Sequence, residues 1–453
     1  MLRTHTCGEL NKKHDGKKVK LCGWVEQIRT FGKIGFLTIK DKYGSTQAFL
    51  NPNLAKEFGQ LRKESVILLE GKVQIRPQKD INKDMVTGEI ELSAEKIEIL
   101  NESAPVPLDL TNIQSTEETR LKYRYLDLRR KKMQKNLAMR HKTAKAVRDF
   151  LDKENFLEIE TPMIAKSTPE GARDYLIPSR VQKGKFYALP QSPQLFKQLL
   201  MVSGFDKYFQ LVKCFRDEDL RADRQPEFTQ IDMEMSFIEE EDIYSLLEKM
   251  MKHVFKQVLD VNIETPFPRI TYKEAMNKYH TDRPHLKKDG HTYSFLWVVD
   301  FPLFEYSKEE KRLTSTHHPF TMPKEEDIKL LEKEPEKASS NAYDLVLNGE
   351  EIAGGSIRIH KADIQKKIFK ALKLSDEEVM EKFGFLLNAF KYGAPPHGGI
   401  AFGLDRLVAI ICGEDSIREV IAFPKNKDAK DIMLDAPSDV SKKQLSELGL
   451  KTN

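Results

Sequence analysis

The segment Ala104-Pro105-Val106-Pro107 divides this chain into two stretches with different textures. Two prolines at alternate positions remove backbone donors and disfavour the helical region for the residues before them, so the spot reads as a hinge between domains. Ahead of it, apolar residues recur with a period of two. Val19–Val25 and Gly35–Ile39 alternate, Asp41-Lys42-Tyr43-Gly44 is a turn signal, and Thr46–Leu50 follows as the returning strand of a hairpin. A helical stretch over Leu54–Arg62 and two more strands, Ser65–Ile75 and Glu89–Leu100, complete the set. Five strands with a helix after the third predict a small Greek-key barrel of the OB type, a fold whose open face binds single-stranded nucleic acid. Small barrels of other kinds share this pattern.

From Thr119 onward the period lengthens. Lys131–Glu154 predicts a long basic helix with Leu137, Ala144, Val147 and Leu151 as its apolar positions, ending in the run Asn155 to Pro162. Strand-like segments return at Phe209–Phe215, Thr229–Phe237, Glu351–His360 and Gly398–Leu404, with helices between them. The predicted fold class is α+β: a barrel over 1–103, a linker over 104–118 and a mixed domain over 119–453. With 74 basic and 70 acidic residues the formal charge is only +4, which permits a nucleic-acid partner without requiring one. No apolar run approaches the roughly 20 residues that span a bilayer, since Gly399–Cys412 is broken by Asp405 and Arg406, so no membrane partner is expected. Cys7, Cys22, Cys214 and Cys412 have neither disulfide-framework nor zinc-ligand spacing, and Met1–Leu10 lacks a signal-peptide core. A cytoplasmic chain with reduced thiols is the expectation.

Two features carry chemistry. Cys214 to Phe228 packs Arg216, Arg221 and Arg224 among five acids in a turn between two strands. Taken alone it is a self-neutralising surface loop; held over a sheet, its guanidinium groups suit bidentate recognition of phosphate. The second is Gly398–Leu407, a glycine-rich strand leading into a helix with Arg406 in its first turn. A cation at that end of a helix is disfavoured unless an anion lies nearby.

The ordered combination of the run ending at Thr161-Pro162, the Phe215-Arg216-Asp217-Glu218 loop closed by Arg224 to Phe228, and the late Gly403-Leu404-Asp405-Arg406 resembles the three motifs of class II aminoacyl-tRNA synthetases. Ser167 to Asp174, Leu189 to Lys197, Arg221 to Asp232, His317 to Phe320 and Glu351 to Arg358 look, more narrowly, like the aspartyl members of that class in bacterial style. The resemblance implies activation of L-aspartate by ATP and transfer to the 3′-hydroxyl of tRNA-Asp, with charging of tRNA-Asn left open. It assigns Arg216, Glu218 and Arg406 to catalysis. Nucleotide contacts fall to Arg216, Asp217, Glu218, Arg224, Gln225, Phe228, Glu351, Gly403, Leu404, Asp405 and Arg406. Glu170, Gln194, Lys197, Arg216, Asp232, His317, His318 and Arg358 would hold aspartate, with Lys197 and Arg358 as two cations lacking a full counter-charge. Asp344 and Glu351 are the implied carboxylates for Mg2+ bound with ATP. On the barrel, Arg29, Phe36, Gln47, Arg76 and Glu91 match anticodon contacts. The first motif implies a homodimer.

This chain also departs from the family. A sizeable domain that bacterial relatives carry between the second and third motifs is reduced here to about 281–294, Ala353 stands where glycine is more usual, and Arg29 to Lys33 is an atypical loop. Two rivals share the scaffold: an AMP-forming asparagine synthetase-like enzyme, whose relatives lack the barrel, and a catalytically inactive RNA-binding paralogue, which has no need of Arg216, Glu218, Glu351, Arg358 and Arg406 together.

Overall fold

The computed structural model describes residues 1–110, 114–168, 171–286, 292–308 and 311–451. They pack as two units, Met1–Gln134 and Lys135–Asn453.

In the first unit the period-two stretches are strands. β1 (Lys18–Phe31), β2 (Ile34–Asp41), β3 (Gly44–Leu50), β4 (Val66–Ile75) and β5 (Ile90–Asn101) close in the order β1-β2-β3-β5-β4, with β4 returning to β1. Alternate residues point inward, so Leu21, Val25, Leu37, Ile39, Ala48, Leu50, Leu69 and Leu92 form one buried core. The helix after the third strand, α1 (Pro52–Phe58), begins and ends earlier than its apolar residues suggested. Asn51 caps it by accepting from the Asn53 and Leu54 amides, Pro52 fits its first turn, and Gly59 ends it.

The second unit is built on an eight-stranded sheet. Its helix α2 (Lys131–Lys153) leads into the short edge strand β6 (Leu157–Glu158). Next come α3 (Gln194–Val202), β7 (Lys207–Phe215), β8 (Glu227–Ser236), α4 (Glu240–Leu259), β9 (Arg269–Thr271), β10 (Phe295–Val299), β11 (Ala342–Leu347), β12 (Glu350–Ile357), β13 (His397–Gly403) and α5 (Leu404–Cys412). The sheet order is β9-β10-β11-β12-β13-β8-β7-β6; the six inner strands are antiparallel and each edge strand pairs parallel to its neighbour.

Strand β8 shows how this sheet makes a site. Ile231, Met233 and Met235 face the core, where they join Leu247, Met250, Met251 and Val254 of α4 and Leu407 of α5. The alternate residues Phe228, Gln230, Asp232 and Glu234 therefore share the opposite face. Both faces are buried, so this strand lacks the in-out polarity of a surface strand. Neighbouring β13 approaches so closely that a Cβ on Gly399 would lie 2.0 Å from Glu234 Oε2 and 2.1 Å from Met233 O. Only glycine fits there.

Candidate active site

The polar face of the sheet opens into a cavity of about 540 Å³. Of the residues assigned from sequence, Gln194, Lys197, Arg216, Glu218, Arg224, Gln225, Phe228, Asp232, His317, His318, Asp344, Glu351, Arg358, Gly403, Asp405 and Arg406 line it. They come from α3, the β7–β8 turn, β8, the 316–318 segment, β11, β12 and the residue just after it, and the β13–α5 junction, so residues as far apart in the chain as Gln194 and Arg406 converge on one pocket. Glu170 lies outside the described residues. Leu404 packs into the core, and Asp217 bonds back to the 171–174 loop, its N–H donating to Arg173 O at 3.0 Å.

One end of the cavity is a buried ion cluster. Lys197 Nζ lies 2.6 Å from Asp232 Oδ1 and 3.3 Å from Glu234 Oε2, while Arg358 Nε donates to Glu234 Oε1 at 3.0 Å and Nη2 to Oε2 at 3.2 Å. All four side chains are at most 2% exposed as residues. Burial alone would raise the Glu234 carboxyl, but Arg358 and Lys197 pull it below the usual carboxylate range. For Asp232 burial wins over Lys197, and its carboxyl is raised. The two cations are thus not short of counter-charge in the way the sequence suggested: Glu234, which no motif singled out, sits between them. Period two along β8 from Asp232 was the one signal that could have found it.

Histidines close this end. His317 Nε2 lies 3.1 Å from Asp344 Oδ1; burial opposes its proton, yet Asp344 raises its pKa. His318 goes the other way, lowered by burial and by Arg358, whose Nη1 bonds its Nε2. That ring nitrogen therefore accepts, and the ring is neutral. Glu351 is raised, chiefly by the Asp344 carboxylate and then by burial. Two hard carboxylates that crowd one another fit a divalent cation, which would relieve their repulsion. Among the described residues no cluster of three or more His, Cys, Asp or Glu is placed to hold a metal by itself.

The other end is arginine-rich. The Arg216 guanidinium lies over the Phe228 ring at 5.1 Å, and Arg224 Nη1 donates to Glu218 Oε2 at 3.1 Å. Arg406 bonds Glu351 O through Nη1 and Asp223 Oδ2 at 3.3 Å through Nη2. Gln225 is turned toward the chain, its amide paired both ways with the Lys425 backbone at 3.1 and 2.8 Å. Sequence reasoning also passed over Gln191, which clamps the 171–174 loop by accepting from Ala172 N at 3.1 Å and donating to Ala172 O at 2.7 Å.

Five polar atoms of residues lining this cavity are buried with no hydrogen-bond partner: Gln194 Nε2, Asp232 Oδ2, Thr316 Oγ1, His317 Nδ1 and Arg406 Nε. Such atoms cost free energy unless something else satisfies them, and here they occur at both ends of one pocket.

On the barrel, cross-strand pairing sets Arg29 beside Phe36 and Phe36 beside Phe49. Phe36 meets Phe31 and Phe49 edge-on, with ring centres 6.2 and 5.8 Å apart, so three aromatic rings sit together on the outer face. Gln47 Nε2 donates to Glu91 Oε2 at 3.3 Å on that face. Arg76 is buried instead, its Nε donating to Ile90 O at 2.9 Å.

Residues 116–427 match the family described as class II tRNA synthetases (D, K and N), and residues 19–100 match the OB-fold nucleic acid binding domain. The aspartate–tRNA(Asp/Asn) ligase of Thermotoga neapolitana is 45% identical over 579 aligned positions, spanning 100% of this chain and 99% of that protein. That of Caldanaerobacter subterraneus subsp. tengcongensis is 46% identical over 582, spanning 99% and 98%. Among solved structures, asparaginyl-tRNA synthetase from Pyrococcus horikoshii with asparaginyl-adenylate superposes with a TM-score of 0.77 at 24% identity, covering 94% of this chain and 98% of that one. Aspartyl-tRNA synthetase from Entamoeba histolytica gives 0.73 at 21%, covering 92% and 90%. At those identities the superpositions establish the fold.

Glu234→Gln would leave Lys197 and Arg358 with one fewer buried counter-charge. Its expected cost is about 3 kcal/mol of stability, read as a lower urea midpoint at unchanged slope. An unchanged midpoint would show that the two cations do not depend on it.

Proposed function

The chain belongs to the class II tRNA synthetases of the D, K and N group, and from that membership we propose an aspartate–tRNA ligase whose amino-acid specificity is set by the charge of one buried cluster. The reaction joins a carboxylate oxygen of aspartate to the α-phosphorus of ATP and releases pyrophosphate. The 3′-hydroxyl of tRNA then attacks the acyl carbon and AMP leaves. Both nucleophiles come from substrates, so the protein supplies position and charge compensation.

The observation that carries the specificity is the arithmetic of the cluster. Asp232 keeps Oδ2 unbonded and Gln194 lines the same cavity, which suits the α-ammonium. With Asp232 so engaged, Lys197, Arg358 and Glu234 together leave one net positive charge. An aspartate side chain cancels it; the isosteric carboxamide of asparagine does not, and would leave a buried charge unpaired. Neutral His318 fixes the Arg358 fork.

Arg216 would meet the reacting carboxylate and the α-phosphate, Arg406 and Arg224 the terminal phosphates, and Phe228 the adenine face. Asp344 and Glu351 would hold Mg2+, which supplies charge neutralisation on phosphate oxygens when bound. The aromatic group around Phe36 supports stacking of unpaired anticodon bases, with Arg29, Gln47 and Glu91 beside it. Exposed Leu157 on the sheet-edge strand and exposed Ile164, flanking Thr161-Pro162, support a homodimer through this edge. Alignment over 579 positions by a chain of 453 residues supports the loss of an inserted domain. Among the described residues no helix is long and apolar enough to cross a membrane, and the four cysteines are free, which supports a cytoplasmic enzyme.

Three outcomes are expected. Arg358→Leu should abolish aspartate-dependent pyrophosphate exchange; near-normal exchange would mean that the side-chain carboxylate is held elsewhere. Phe36→Ala should impair tRNA charging by about tenfold or more while exchange stays near wild type; equal damage to both counts against an anticodon role. Transcripts of tRNA-Asp and tRNA-Asn, assayed side by side, should both accept aspartate, as the names of the full-length relatives indicate for those enzymes. Charging of tRNA-Asp alone would make this a discriminating enzyme, and charging of neither would overturn the function.

A further inference from the structure

We infer that Arg140, on helix α2, is a positioning residue for the nucleotide end of the site, fixing where Arg406 stands over the sheet. Asp405 and Arg406 are consecutive in the first turn of α5, so whatever holds the one sets the other. Asp405 is 3% exposed and both of its oxygens are taken. Oδ1 is paired with Arg140 Nη1, and Oδ2 accepts the Thr229 N–H at 2.7 Å. Arg140 Nη2 donates to Thr229 Oγ1 at 3.0 Å. A single guanidinium therefore joins α2, the start of β8 and the first turn of α5. The planar fork is what this needs: two donors at a fixed angle, one for a carboxylate and one for a hydroxyl, which a lysine ammonium does not provide.

A second tie lies one turn earlier on the same helix face. Asn136 Nδ2 donates to Glu414 Oε1 at 2.8 Å and to Glu419 O at 3.1 Å. The 414–420 segment in turn holds the loop before β8, with Ile417 N and Ser416 Oγ both donating to Ala222 O at 3.1 Å. The next residue, Asp223, is the one that meets Arg406 Nη2. Helix α2 thus grips both supports of Arg406: its own helix and the loop that touches its guanidinium. The amino-acid end rests on other elements, Lys197 on α3, Asp232 and Glu234 further along β8, and Arg358 beyond β12. Loss of Arg140 should therefore be felt by ATP and not by aspartate. A residue that merely filled the helix–sheet interface would affect neither substrate selectively.

This inference rests on the assignment of Arg406 to the ATP phosphates. The test is aspartate-dependent ATP–pyrophosphate exchange by the full chain, with KM for ATP and for aspartate measured separately in Arg140→Ala, Arg140→Lys and Arg406→Ala. Arg140→Ala should raise KM for ATP or lower kcat by about tenfold or more, with KM for aspartate within about twofold of wild type. Arg140→Lys keeps the charge and loses the fork, and should fall between. Unchanged ATP kinetics in Arg140→Ala, or equal damage toward both substrates, overturns the inference. Unchanged ATP kinetics in Arg406→Ala would overturn the phosphate assignment itself, so the two failures are distinct. If Arg140→Ala does not fold, Thr229→Val removes the hydroxyl that receives Nη2 while keeping the N–H on Asp405. A rise of about threefold or more in KM for ATP then supports the inference, and no change overturns it.

Discussion

The site depends on Glu234, a carboxylate with no access to solvent that is bonded to Lys197 on one side and Arg358 on the other. Two cations buried side by side repel each other and lose their hydration, so they need an anion within the protein to keep their places. That anion in turn dictates its surroundings. Gly399 must lack a side chain because the carboxylate occupies the space, and β13 can then lie close enough to carry the backbone onward to Arg406. Asp232, whose Oδ1 lies 2.6 Å from Lys197 Nζ, is the second carboxylate of the same balance.

The sheet converts that local balance into a whole site. Its inner strands bury both faces, one against α4 and α5 and the other around the cavity. A strand with polar residues on a buried face is costly unless every group finds a partner. Most do, and among the atoms that do not, Gln194 Nε2, Asp232 Oδ2, Thr316 Oγ1, His317 Nδ1 and Arg406 Nε belong to residues lining the cavity. Those five atoms are free to meet a polar ligand in the cavity.

Period two made the barrel legible from sequence: the five strands and the intervening helix occur in the expected order, but β1 continues to Phe31, six residues past its alternating stretch, and α1 starts and ends where Asn51, Pro52 and Gly59 decide. Helix α2 was equally plain in extent but not in orientation. Its buried row includes Asn136 and Thr143, polar residues that an apolar-stripe reading leaves out, whereas Ala144, which that reading put in the stripe, is only half-buried. For Asn136 the cause is physical: its amide donates to Glu414 Oε1 and Glu419 O, so hydrogen-bonding capacity counts more there than hydrophobicity. For the same reason the motif residues of the cavity could be named from their order along the chain, while Glu234 and Arg140, which act on other protein side chains, gave no comparable signal.

Sequence alone determined the strand and helix types and the residue chemistry of the cavity wall, because these are set by local periodicity and by motifs that are contiguous in the chain. Tertiary structure decided the rest. It set the charge balance of the buried cluster, by bringing Glu234 between Lys197 and Arg358, the latter 124 positions away along the chain. It turned Arg76 into the barrel wall and Gln225 onto the Lys425 backbone. It also tied helix α2 to Asp405 and Thr229. Burial and pairing of charges depend on distances between segments remote in sequence, and those distances exist only once the sheet has assembled.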